Sequence, residues 1–143
     1  PTLDMAPVWT PDGRRIIWTS TRESTNPALY WQAADGTGSP LRLGGPGAQF
    51  PTAMTPDGRY LLFHNAGGAS IQRMSLAGEP RVEPVVRAAG PVSNGDLSPD
   101  GKWLAYQSAE SGQPEIYVRP YPNVDEARWQ LSSQGGTRPL WAR

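Results

Sequence analysis

His64 is the only imidazole among 143 residues, and there is no cysteine. Any Ser-His-Asp triad would have to use His64, and no G-x-S-x-G stretch supplies a nucleophile elbow. Zinc needs several His or Cys ligands. The expected catalytic and metal-binding sets are therefore both none, as is the cofactor set. Glu110, Glu115, Asp125 and Glu126 have the composition of a glycoside-cleaving carboxylate pair. That chemistry requires two carboxyls facing one cleft at a set separation, and these four lie in or beside loops of variable length, where they read as solvated surface groups. Gly44, Gly45, Pro46 and Gly47 form a glycine-rich run without the Lys-Ser/Thr and helix of a phosphate loop.

Three other carboxylates recur with a period. Asp12, Asp57 and Asp100 each stand in Pro-Asp-Gly, at steps of 45 and 43 residues, and Trp141 follows Trp9 by 132, three steps of 44. Calcium ligation is one use for such aspartates. Their identical placement in every unit favours a turn: Pro at i+1, Asp at i+2, and a left-handed Gly13, Gly58 or Gly101 after it. The expected structural turn residues are Asp12, Gly13, Asp57, Gly58, Asp100 and Gly101, in a three-residue hairpin connection. His64 aligns with Thr19 and Gln107, at the polar end of a strand.

Positioning these turns requires strands. Arg15 to Ser20, Tyr60 to Asn65 and Trp103 to Ser108 are β-branched and aromatic and nearly continuously apolar, the mark of strands covered on both faces. A third strand follows at 29–31, 71–73 and 116–118, and a weaker fourth at 41–43, 83–86 and 129–131. Sixteen Gly and sixteen Pro leave no room for amphipathic helices. Four antiparallel strands per unit of about 44 residues predict an all-β fold, a β-propeller. The expected organisation is a single partial propeller over 1–143: blade one 6–43, blade two 50–86, blade three 94–132, and one extra inner strand, the first of a further blade, at 137–142.

Lys plus Arg and Asp plus Glu are each 13. Zero net charge argues against nucleic acid, whose phosphates call for a basic excess, and against an anionic membrane surface. No run of about 18 apolar residues exists to insert into a bilayer. No signal peptide is read, and the start at Pro1 without a Met leaves room for a removed leader or upstream domain. Asp96 is a charge where the other inner strands have Val8 and Ala53. With Asn94 beside it, it is the candidate ligand-binding residue near the central channel.

The turn motifs Ala6 through Gly13, Thr52 through Gly58 and Asp96 through Gly101, with the strand Glu115, Ile116, Tyr117 and Val118, resemble TolB-like propeller repeats. The third unit is closest to propeller regions of bacterial membrane-anchored Ser/Thr kinases and sensors, without any kinase motif. The resemblance implies a periplasmic or extracytoplasmic location; the residues themselves leave localisation unknown. It also implies six or more blades, whereas three and a fraction are present. Half of a six-bladed propeller leaves two blade faces uncovered. A homodimer closing a six-bladed ring by two-fold symmetry is the expected partner arrangement; a stretch of a longer propeller is the other. In the dimer, 137–142 and the first strand compete for one slot, and 137–142 either swaps into the partner or lies elsewhere. The expected function is a non-catalytic binding or scaffold module with a protein, peptide or glycan ligand. The alternative is a propeller of a hydrolase or lyase with a channel site.

Overall fold

The computed structural model describes residues 2–45 and 47–142. Its strands are β1 (Asp4–Trp9), β2 (Arg15–Ser20), β3 (Ala28–Ala33), β4 (Leu41–Leu43), β5 (Gln49–Met54), β6 (Tyr60–Asn65), β7 (Ser70–Ser75), β8 (Val82–Arg87), β9 (Val92–Leu97), β10 (Trp103–Ser108), β11 (Glu115–Pro120) and β12 (Trp129–Gln130). They form three four-stranded antiparallel sheets in sequence order, β1 to β4, β5 to β8 and β9 to β12, with no helix among the described residues. Each sheet is one blade. Innermost β1 lies against β5, and β5 against β9.

The near-continuous apolar strands fold as two-faced strands. In β6, Leu61, Leu62 and Phe63 all have zero exposure. Leu61 and Phe63 face blade one, in a core with Ile17, Leu29, Leu43 and Met74. Leu62 faces blade three, in a second core with Val92, Leu97, Leu104, Tyr106 and Tyr117. Each such buried side chain contributes about 1.5–3 kcal/mol. The seams also carry polar ties: Thr19 Oγ1 donates to the Gln49 carbonyl at 2.8 Å, and Val92 N to the Gly68 carbonyl at 2.9 Å.

The three Pro-Asp-Gly turns share one set of bonds. Thr10 Oγ1 donates to Asp12 Oδ1 at 2.6 Å, Arg14 N donates to the same oxygen at 3.0 Å, and Arg15 N donates to Thr10 Oγ1 at 3.0 Å. Thr55, Asp57, Arg59 and Tyr60 repeat this, as do Ser98, Asp100, Lys102 and Trp103. Gly13, Gly58 and Gly101 have φ of 67°, 70° and 69°, the left-handed region where glycine has no Cβ penalty. The connection holds four residues rather than the expected three. Arg15 N turns to the Thr10 hydroxyl instead of the carbonyl, and the Asp12 carboxylate takes the Arg14 N–H that the extra residue would leave open.

Candidate binding groove along the inner strands

The inner strands carry an irregularity that sets the geometry beside the axis. Ala6 and Asn94 have φ of 53° and 52°, unusual for residues with a Cβ. Both precede a four-residue run that ends at the turn: Pro7, Val8, Trp9 and Thr10 in one, Gly95, Asp96, Leu97 and Ser98 in the other. Pro51 occupies the equivalent place in β5, where the ring forbids a positive φ, and the register shift there falls between Pro51 and Ala53. Arg138 has φ of 52° and is followed by Pro139, Leu140 and Trp141. It thus repeats the backbone of β1 and β9 and the Pro-apolar-Trp order of β1. The stretch 137–142 is assigned to no strand and pairs with none among the described residues.

Asp96 is where that stretch is held. Its carboxylate Oδ2 accepts the Trp141 backbone N–H at 3.0 Å, and its carbonyl accepts the Trp141 indole N–H at 3.1 Å. Val8 and Ala53 have no oxygen for the first bond, so this clasp is special to blade three. Asn94 is held on its own sheet, its amide donating to Gln107 Oε1 at 2.9 Å. Trp9, Met54, Asp96, Ser98, Leu140 and Trp141 line an open groove of about 790 Å³. Trp9 is 56% exposed and Leu140 88%. The wall combines apolar side chains with the hydroxyl residues Thr10, Thr52 and Ser98 and one carboxylate, Asp96.

A second anchor lies upstream. Glu115 is 1% exposed, not the solvated surface group expected. Its carboxylate accepts from Ser132 Oγ, from Gly135 N at 2.9 Å and from Gln113 Nε2 at 2.7 Å. These donors, led by Ser132, hold its pKa below the ordinary carboxylate value. Gly136 N adds a bond to the Pro114 carbonyl at 2.8 Å. A thin layer of chain, residues 132–136, seals Glu115 and is pinned by it, and this layer leads directly to 137–142. The sequence signal was alternation: Glu115, Tyr117 and Arg119 share one strand face, so the first of them is a charge in line with a buried aromatic. Glu110 pairs with Arg128, and Arg119 reaches Asp125 at 3.8 Å.

The remaining candidates are not brought into the groove. His64 stacks on Phe50 with ring centroids 5.5 Å apart, and Nδ1 has no partner among the described residues. Burial lowers its pKa, which favours the neutral ring. The turn aspartates have lowered pKa values, first through the Thr or Ser hydroxyl of the same turn and then through the backbone N–H two residues on. No group of three His, Asp or Glu among the described residues is placed to hold a metal ion.

No family model matches the chain. An uncharacterized protein of Agrobacterium fabrum is 39% identical over 69 residues, covering 46% of this chain and 23% of that protein. Among solved structures, a TolB-type protein of Agrobacterium tumefaciens superposes with TM-score 0.78 at 22% identity, over 92% of this chain and 47% of the other. TolB of Acinetobacter baumannii gives 0.69 at 29% identity, over 96% of this chain and 33% of that one. The β-propeller domain of the trilobed protease of Pyrococcus furiosus gives 0.64 at 10% identity, over 93% and 44%. The chain spans less than half the length of each of these proteins. It folds as three consecutive blades of a TolB-like β-propeller.

Proposed function

We propose that this chain is a non-catalytic binding and scaffold module whose inner-strand groove takes an extended polypeptide segment. One observation carries the reading: at the groove wall Asp96 already holds a residue of the chain's own terminal stretch, Trp141, through a backbone N–H on a carboxylate and an indole N–H on a carbonyl. This is recognition of main chain plus one aromatic anchor, the economy of peptide-binding sheets. It favours a peptide or protein ligand over a glycan. Asp96 is the direct contact, and Asn94, with its left-handed backbone and its amide tied to Gln107, holds β9 in the shape that presents Asp96. The rigid blades keep these groups in place, so little ordering is needed on binding.

The test is a fluorescently labelled peptide with the sequence of residues 137–142, titrated in trans against a Trp141→Ala chain. Saturable binding that weakens about tenfold or more on Asp96→Ala supports the reading. Absence of binding at millimolar peptide defeats it, as does binding indifferent to Asp96.

A further inference from the structure

We infer that the Asp96 clasp is a seat for Trp9 of a second copy of this chain, and that Trp141 occupies it as an internal placeholder. The inference rests on the groove reading above and adds the identity of the partner. Two observations converge on it.

The two candidate occupants match. Pro7, Val8 and Trp9 parallel Pro139, Leu140 and Trp141 in residue type, and the residues that lead them, Ala6 and Arg138, have φ of 53° and 52°. A seat that takes a backbone N–H and an indole N–H from one presents the same acceptors to the other.

The second observation is that β1 is built as an inner strand but packed on one side only. Its burial is the poorest of the three, with Trp9 56% exposed, while β5 has Gln49, Pro51 and Ala53 fully covered. The face that blade one turns away from blade two leaves Ile16 and Trp18 half-covered, although their equivalents Leu61 and Phe63 in blade two have zero exposure. At the other end, Trp103, Trp129 and Leu131 are 37%, 46% and 68% exposed at the margin of blade three. Blade three and a blade one are therefore complementary in kind: each lacks the neighbour the other supplies.

The two half-covered faces lie at opposite ends of the row of three blades. Two-fold symmetry then places blade three of each copy beside blade one of the other, at two identical seams. At each seam β1 of the second copy and 137–142 of the first are rivals for the place next to β9. Ring closure requires 137–142 to leave, and the clasp on Trp141 opposes closure.

The competition gives the two tryptophans opposite signs. Sedimentation equilibrium of the 143-residue chain and its Trp141→Ala, Trp9→Ala and doubly substituted variants measures the dimer dissociation constant for each. Trp141→Ala is expected to tighten dimerisation by about tenfold or more, the worth of the indole hydrogen bond and a packed ring. Trp9→Ala is expected to abolish it in either background. Both side chains lie partly open to solvent, so neither substitution threatens the fold, and Trp9→Phe, which keeps a ring but lacks the indole N–H, should fall between. The proposal is overturned if Trp141→Ala weakens dimerisation or leaves it unchanged, if Trp9→Ala has no effect, or if every variant stays monomeric. Peptide binding in trans with no tryptophan-dependent dimer would leave the groove function standing and remove the second copy as its partner.

Discussion

Blade two and blade one are built on the same strand pattern and differ in what lies beside them. Tyr60 to Asn65 and Arg15 to Ser20 each follow a Pro-Asp-Gly turn and each present an apolar triplet. In blade two the triplet is wholly buried, because blade one covers Leu61 and Phe63 while blade three covers Leu62. In blade one only Ile17 meets another blade; Ile16 and Trp18 face away from blade two. Arg22 partly substitutes for a missing blade, its guanidinium 5.2 Å from the Trp18 ring and 4.9 Å from Tyr30. The repeat thus makes a strand competent for burial on both faces, and only a neighbour turns that competence into stability.

The largest effect that can break this comparison is truncation of the triplet's aromatic. Phe63→Ala is expected to cost about 3–5 kcal/mol in urea unfolding. Trp18→Ala, measured on monomeric protein, should cost less than half as much although the residue is larger. Equal costs would mean that blade one's outer face is covered after all.

The glycines of the turns sharpen the same contrast at smaller amplitude. Gly101→Ala meets a left-handed φ of 69° and the Pro56 ring at 3.1 Å, whereas Gly13→Ala meets φ of 67° and nothing within 4 Å. The conformational cost common to both is about 1–2 kcal/mol. Gly101→Ala should exceed Gly13→Ala, and the difference in unfolding free energy isolates the packing of one turn on the preceding blade's proline.

Acid dependence follows, with Glu115 as the interior case. Its folded pKa is lowered, chiefly by Ser132. Its contribution is therefore complete above the unfolded value of about 4.3 and is lost as pH falls through the folded value. Thermal melts from pH 6 to pH 2 should show a smaller loss for Glu115→Gln than for the unmodified chain, with a lower starting Tm. The smallest effect belongs to His64. Burial depresses its pKa, so the neutral ring is favoured in the fold and stability declines as pH falls below about 6.5. His64→Phe should flatten the melting profile between pH 7 and pH 5 without lowering Tm at pH 7.

Much of the fold was legible because its signals are local. A Pro-Asp-Gly turn needs only Thr10, Asp12 and Gly13 and their own backbone, so the six turn positions could be named from spacing. The short strands at 29–31 and 71–73 emerge as longer ones, Ala28–Ala33 and Ser70–Ser75, because ladder bonds extend beyond the apolar residues that mark them. Glu115 was misread as solvated because its covering comes from Ser132 and Gly135, 17 and 20 residues on, at a distance no local pattern reports. Asp96 was visible as a charge out of place in its repeat. That its partners are Trp141 N and Nε1 was not, since 45 residues separate them.

The residues alone determined the period, the four-stranded unit, the turn chemistry and the apolar runs fit for a blade interior, since each depends on backbone preference and side-chain alternation within a few positions. Tertiary structure alone decided which of those equivalent faces is covered, that Glu115 pins the stretch leading to 137–142, and that Asp96 closes on Trp141. Repeats make their units nearly interchangeable in sequence, and burial and hydrogen bonding distinguish them only through the neighbour each one meets.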